Sequence, residues 1–552
     1  MKKIVLFCLL ISIVHSQTMA QTKAKPNILF IAVDDLKPIL GAYGNKFIKT
    51  PNIDRLAQMG TTFLNNYCQQ AVCGPTRASL LTGMRPDMTK IWDLKTQIRD
   101  VSPDIVTLPQ HLITQGYSTQ GIGKVFDPRN VDNNLDKVSW SIPYHKTDKK
   151  YYVPELGEPA EGRYQMKETK LAAEKVINEA LAKGMTKAEA NAEATAKVRP
   201  TTENIDVPDN AYTDGANILQ AKDILAQLSQ KNEPFFFAVG IAKPHLPFVA
   251  PKKYWDLYKR EDIVLEPFQE TNKNPIDVAY HNAGELRAYT DMPVDIAATP
   301  QKEFGLSVSI DKQKELLHGY YAAISYTDAL VGKLLNTLDS LGLTKNTIVV
   351  LWGDHGWHLG DHNLWCKHSN FEQATRAPLL ISAPGYASNQ TKSFSEHVDI
   401  FPTLCDLAGV AIPTQLQGKS LKPVMQNPLA KVKEYSISQY PRSGVDEENE
   451  RLGYAPANIM GYSIRNSQYR YTIWMKNNFR STKPFKAESL IGDELYDYNA
   501  DPLEKVNVAK DPKYDAVTKK LKAEMLAYFA TQVTTQGATQ AATQVKTQVK
   551  TK

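Results

Sequence analysis

Four runs of apolar residues punctuate the first four hundred positions. Residues 27–33 (NILFIAV) lie between Pro26 and the pair Asp34-Asp35, and similar runs follow at 234–240 (PFFFAVG), 347–352 (TIVVLW) and 377–382 (APLLIS). Runs of this length, apolar at every position and bounded by turn residues, read as strands buried on both faces, the kind found in parallel sheets. Helical patterns lie between them. The clearest covers 311–341, where Leu317, Tyr320, Ile324, Val331, Leu334, Leu338 and Leu341 follow a period near 3.6. Strands separated by helices predict an α/β fold: a large mixed or parallel sheet sandwiched between helices. In such sheets ligands gather at the carboxyl ends of the strands.

Two stretches depart from this texture. Residues 165–198 are rich in Ala, Lys and Glu and predict one or two solvated helices inserted into the main domain, with no chemistry of their own. From about residue 430 the pattern shifts to shorter strand-like runs, such as 462–474 (YSIRNSQYRYTIW), which predicts a smaller, sheet-rich α+β subdomain over 431–530. Beyond it, 531–552 repeats Thr-Gln every four residues without aromatics, a disordered or weakly helical tail.

The opening is different again. Met1-Lys2-Lys3, an apolar run over 4–14 and Thr18-Met19-Ala20 form the pattern of a secretory signal cut after Ala20. That leaves 21–430 as the main domain and predicts a periplasmic or secreted protein. The apolar run is too short to span a bilayer, and no later segment reaches eighteen apolar residues, so no membrane span is expected. Cys68, Cys73, Cys366 and Cys405 remain after the cut. Four cysteines in a chain of this length make no disulfide framework, although a bridge at Cys68 stays open.

Of 552 residues, 42% are hydrophobic and 22% charged, which excludes a disordered, collagen-like or coiled-coil chain. The net charge is +6, but Lys2, Lys3, Lys546, Lys550 and Lys552 sit at the two ends. The body is nearly neutral and gives no sign of the basic stripe that nucleic acid requires.

Candidate chemistry lies at strand ends. Asp34 and Asp35 directly follow the first apolar run, and Asp354-His355-Gly356 follows the third. Three carboxylates brought together repel one another unless a cation neutralises them, and hard oxygen ligands favour Ca²⁺ or Mg²⁺. The plainer reading is that Asp34 and Asp35 cap a following helix.

The most specific segment runs from Cys73 to Gly83, CGPTRASLLTG. It resembles the sulfatase signature C-x-P-[ST]-R-x-x-x-L-T-G at every fixed position. The resemblance implies the alkaline-phosphatase-like fold of that family and a Cys73 oxidised by a formylglycine-generating maturation enzyme to an aldehyde. Such a residue suits sulfate ester hydrolysis. The hydrated aldehyde offers two hydroxyls: one attacks sulfur and displaces the sugar alcohol, and the other loses its proton so that sulfate is expelled without water attacking sulfur. A divalent cation lowers the pKa of the attacking hydroxyl and orients the sulfate oxygens.

The likeness is strongest to the iduronate-type sulfatases and covers roughly residues 25–510. It implies that Asp34, Asp35, Asp354 and His355, with the group derived from Cys73, hold the metal. It assigns Arg77, Lys124 (in GIGKVF) and Lys367 (in WCK) to holding the sulfate or steadying the nucleophile. His245 (in KPHLPF) becomes the proton donor to the leaving oxygen or a sulfate contact, and Trp357 a sugar contact. Likeness continues at 438–442, 459–465 and 494–496. Two positions stand out, one against the family motif and one, His355, shared with the iduronate-type enzymes but not with many other sulfatases. Asp127 stands where the family has a histidine that assists sulfate release, and His355 stands where many sulfatases have Asn. Imidazole is a poor partner for Ca²⁺. The implied activity is hydrolysis of sulfate esters on a carbohydrate, foremost 2-O-sulfated uronic acid residues. Alternatives are a sulfatase of sulfated galactans or other algal glycans, a formylglycine-dependent phosphodiester or phosphonate hydrolase, and an inactive sulfated-glycan binding protein.

Overall fold

The computed structural model describes residues 25–292, 308–442, 459–476 and 489–531; the signal segment 1–20 and the Thr-Gln repeats from 532 onward lie outside the described residues. Seven strands form the central sheet: β1 (Asn27–Val33), β2 (Thr61–Tyr67), β3 (Ser118–Gly123), β4 (Phe235–Ile241), β5 (Thr347–Gly353), β6 (Leu379–Ser382) and β7 (Asn389–Glu396). Their order is β7-β2-β6-β5-β1-β4-β3. β1 lies inside the sheet, third from one edge and parallel to both β4 and β5, and all seven of its residues are buried.

The apolar run of β1 serves two cores because successive side chains point to opposite faces. Leu29, Ile31 and Val33 pack on one side, where the 31-residue helix Ile310–Ser340 supplies Leu316, Tyr320, Ile324 and Leu334. Ile28, Phe30 and Ala32 pack on the other with Leu80, Leu81, Phe401 and Leu404. The 3.6-residue stripe read from the sequence is thus the buried face of that long helix.

The fourth apolar run departs from the parallel expectation. β6 pairs antiparallel with both β5 and β2. A parallel return needs a crossover that carries the chain back across the sheet, usually a long helix. The segment between β5 and β6 holds only two-residue strands and short helical turns, so the chain re-enters the sheet from the end where it left.

Helix α1 (Cys73–Thr82) follows β2 and is buried at every position. The insertion is a helical hairpin of α2 (Lys167–Ala182) and α3 (Lys187–Lys197), with Thr186 and Glu189 forming a capping box at the start of α3. Near the end of the chain, β8 (Ser436–Arg442), β9 (Ile459–Arg465), β10 (Tyr469–Lys476) and β11 (Leu490–Asp497) form an antiparallel sheet in sequence order. A helix over 515–531 covers it, with Leu521 and Met525 packed against Tyr462, Ile464 and Tyr471. Among the described residues no helix is long and apolar enough to cross a membrane. Cys68, Cys73, Cys366 and Cys405 are all free thiols and buried, so Cys68 forms no bridge.

Candidate functional site

Four adjacent strands deliver their carboxyl ends to one place. Asp34 and Asp35 follow β1, Lys124 follows β3, Lys243 and His245 follow β4, and Asp354 and His355 follow β5. The strand-end peptides remain laddered: Asp34 N donates to Ile241 O at 3.0 Å and Asp354 N to Val33 O at 3.2 Å. Asp35 then takes a left-handed φ of +57°. This turn allows two successive aspartates, which on a strand would diverge, to face the same centre. Cys73 enters from the other direction, as the first residue of α1.

Arg77 organises this centre from beneath, one turn after Cys73. Its Nε donates to Asp354 Oδ2 at 3.0 Å, one Nη to Asp34 Oδ1 at 2.9 Å, and the other to the carbonyls of Lys124 and, at 3.0 Å, Val125. It is fully buried and does not line the cavity above. Its place is therefore to fix the aspartates rather than to touch a ligand. Asp354 Oδ1 accepts from Asp35 N at 2.9 Å. His355 donates from Nδ1 to Gly356 O at 2.9 Å, which turns its Nε2 toward Cys73 Sγ at 3.5 Å and Asp35 Oδ1 at 3.3 Å.

Two overlapping quartets have the geometry to hold a metal ion, Asp34-Asp35-Cys73-His245 and Asp35-Cys73-Asp354-His355; within each, the ligand atoms lie within 4.8 Å of one another. Each quartet brings two carboxylates together, three across both, which fits a hard divalent cation, while the Cys73 sulfur and the imidazoles of His245 and His355 are softer donors.

Lysines complete the charge balance. Lys124 Nζ sits 2.6 Å from Asp34 Oδ2, and Lys367 Nζ lies 3.0 and 3.1 Å from the two oxygens of Asp35. Burial pushes the Asp34 carboxyl up, but Lys124 and Arg77 outweigh it and hold the group well below the usual range. Burial, aided by Asp34, drives the Cys73 thiol well above its ordinary value. As a thiol, Cys73 stays protonated and is a poor nucleophile.

The cluster forms the floor of a cavity of about 1170 Å³. Cys73, Asp34, Lys124, His245 and Lys367 all line it. Trp357 does not. The expected sugar contact is buried, stacked on Tyr320 at 6.3 Å between ring centroids, with Lys367 Nζ 4.9 Å from its ring centre. Trp357 is a floor under Lys367, because the chain after β5 turns back under the site before Lys367 is reached.

Asp127, at the position of the family's histidine, is fastened by Arg129, whose Nε and one Nη donate to its two oxygens at 2.9 and 2.8 Å. Burial raises its pKa, but Arg129 and Lys124 hold it far below the usual carboxylate range. It is a fixed anion and a weak base.

Sequence reasoning missed two groups. Glu285, from the short helix Gly284–Arg287, meets His245 Nε2 at 3.0 Å and Lys367 Nζ at 3.1 Å. It lies in a stretch with no motif, and only the fold brings it in. His397 sits behind the cluster. Thr76 Oγ1 bridges its Nδ1 at 3.1 Å and the Asp354 carbonyl at 3.0 Å. Burial, with His355 and Arg77, lowers the His397 pKa to about 3, so the ring is neutral.

The sulfatase family model matches residues 26–410. Human iduronate 2-sulfatase is 33% identical over 538 residues, covering 88% of this chain and 91% of that protein. A sulfatase of Formosa agariphila is 28% identical, covering 90% and 86%. Among solved structures, BT4656 in complex with its substrate D-glucosamine-2-N,6-O-disulfate superposes with a TM-score of 0.65 at 22% identity, covering 93% of this chain and 98% of that one.

Proposed function

Because this chain belongs to the sulfatase family and is a sulfuric ester hydrolase, we propose that it is exported and desulfates carbohydrates, foremost 2-O-sulfated uronic acid residues of a polysaccharide or its fragments, with Cys73 converted to formylglycine as the nucleophile. The observation that carries this reading is the position of Cys73. Its side chain stands at the start of α1, on the wall of a large cavity, 3.5 Å from His355 and 3.9 Å from Asp35. The substrate class is supported by the likeness to iduronate 2-sulfatase over most of both chains.

Oxidation of Cys73 to the aldehyde would supply a pair of hydroxyls, one to attack sulfur and one to drive release of sulfate. Asp34, Asp35, Asp354 and His355 would hold Ca²⁺ or Mg²⁺, whose chemistry there is to favour the ionised nucleophile and to balance charge on the sulfuryl oxygens. Arg77 holds Asp34 and Asp354 at fixed angles, so the donor set is preorganised before anything binds. Lys124 and Lys367 present ammonium groups to the cavity and neutralise the sulfate oxygens. His245 donates from Nδ1 to Leu246 O, and its Nε2 meets Glu285 at 3.0 Å on the cavity wall. From there Nε2 holds a proton for the departing sugar oxygen. Asp127, bound to Arg129, is unsuited to take the proton that the family's histidine handles, so another group must do so.

The test is peptide mass spectrometry across Cys73 in protein coexpressed with a formylglycine-generating enzyme, together with sulfate release from defined oligosaccharides. Loss of the thiol mass and release of 2-O-sulfate from a uronate are expected. An unmodified thiol in fully active protein would overturn the nucleophile assignment.

A further inference from the structure

The helical insertion is solvated on its outer face, where Leu171, Leu181 and Met185 are exposed, but its root is built into the cavity. A tight turn precedes it: Ala160 N donates to Tyr164 O at 2.7 Å and Arg163 N to Ala160 O at 2.9 Å. The buried Tyr164 hydroxyl then donates to Pro200 O at 2.8 Å, which closes the two ends of the insertion on each other. The closure brings Arg163, just before α2, and Arg199, just after α3, around the same groups, so that both guanidinium charges act on Glu161, Tyr164 and Tyr289.

Both arginines line the cavity that holds Cys73. Arg199 is fastened there. Its backbone N donates to Thr290 Oγ1 at 3.1 Å, and Thr290 N donates to Arg199 O at 2.8 Å. Its guanidinium lies 4.2 Å over the ring of Tyr289 and donates to the phenol oxygen at 3.4 Å. Yet Arg199 Nε and Arg163 Nη1 are buried without a hydrogen-bond acceptor. Glu161 is the neighbouring acid, and both of its oxygens are likewise buried without a donor. Among the described residues, no carboxylate is paired with either guanidinium. Two planar forks, Arg199 fastened on Tyr289 and each with a donor to spare, on the wall of a cavity whose floor handles one anion, have the chemistry to take a second.

We propose that Arg163 and Arg199 form a second anion subsite that grips a carboxylate or a further sulfate on the same sugar chain whose ester is cleaved at Cys73. The proposal rests on the sulfatase reading and adds to it a selectivity device supplied by the insertion. The cavity, at about 1170 Å³, exceeds the size of an ordinary single-ligand pocket and has room for more than one sugar ring.

The experiment compares three disaccharides that share one scissile sulfate. One carries a uronate carboxylate, one is its carboxyl-reduced form, and one is the reduced form with a second sulfate. For wild-type, Arg163→Gln, Arg199→Gln and the double variant, kcat/KM is measured on each. The ratio of an anionic to the reduced substrate is taken within one protein preparation, so partial misfolding cancels. We expect this ratio to fall about ten-fold or more in the variants, as loss of a charge-assisted hydrogen bond predicts. The substrate that loses its advantage identifies the anion as carboxylate or sulfate. Ratios unchanged for both anionic substrates overturn the subsite. The same ratio of calorimetric Kd values on Cys73→Ala protein reads the subsite without turnover. A wild-type protein that desulfates none of the three therefore condemns the sulfatase reading alone.

Discussion

Two clusters of buried charge in this molecule use the same residue types to opposite ends. At the Cys73 centre, Asp34, Asp35 and Asp354 are matched by Arg77, Lys124 and Lys367. Where the central sheet meets the C-terminal one, Glu372 and Glu504 are matched by Arg465 and Arg470, with Arg470 2.6 Å from Glu372 and 3.0 Å from Glu504. In the second cluster hydroxyls close the remaining gaps: Tyr67 donates to Glu372 at 3.0 Å and Tyr498 to Glu504 at 2.6 Å. None of its four charged residues lines the large cavity. In the first cluster the carboxylates converge on one another as well as on cations, Cys73 stands among them, and the cavity opens above. Buried charge does not by itself mark a site. Like charges converging beside a nucleophile and an open volume do, because such an arrangement is costly unless a ligand completes it.

This contrast can be broken first at its centre. Cys73→Ala should lower turnover by about four orders of magnitude or more, as removal of a covalent nucleophile does, while the melting temperature stays within a few degrees. Substantial residual sulfate release would dissolve the distinction between the clusters. The mirror-image change is Arg470→Met. It should cost about 3–5 kcal/mol of stability by leaving Glu372 and Glu504 short of a buried partner, with kcat per folded molecule unchanged. Urea unfolding and active-site titration together read both quantities, and a loss of kcat without a loss of stability would reverse the assignment.

A third change sharpens the working half. Lys124→Ala removes an ammonium that faces the cavity and should cost about 10²–10³ in kcat/KM, the scale of one preorganised charge contact. Stripping divalent ions with a chelator should abolish turnover in the same protein, with Ca²⁺ and Mg²⁺ tested separately for recovery. Activity that survives exhaustive chelation would remove the metal from the account.

The smallest effect concerns the structural half and its dependence on pH. Burial raises the Glu372 pKa, but Arg465 and Arg470 bring it down to about 2 from an ordinary 4.5. Its stabilising contribution is therefore full above pH 4.5 and is lost as the pH falls toward 2. Glu494, beneath Trp474 and Tyr496, is the converse: burial pushes it up to about 7, so its contribution is full below pH 4.5 and is lost as the pH rises through 7. Each amounts to about 1–3 kcal/mol. Glu372→Gln should flatten the acid limb of the stability profile and Glu494→Gln the alkaline limb, in unfolding curves taken from pH 3 to 8. A limb unchanged by its own substitution would show that the group is not the one titrating.

The sequence alone determined the local and the chemical. The apolar run of β1, the long helix Ile310–Ser340 and the strands of the second sheet were legible because periodicity follows from which faces must leave water. Cys73 and its signature were legible because that chemistry needs fixed residue types at short spacing. The meeting of Asp34 with Asp354 was foreseen from their places at the ends of buried strands, but that of Lys124 and His245 only through a family likeness, since nothing in the spacing of these residues states it. The direction of β6, the burial of Trp357 beneath Lys367, the capture of Asp127 by Arg129 and the arrival of Glu285 were decided by the tertiary structure. So was the arrival of Arg163 and Arg199 on the wall of one cavity, at the root of an insertion that read as inert. Each of these depends on contacts between residues far apart in the chain, which are set by the packing of whole elements and leave no periodic or short-range trace in the order of amino acids.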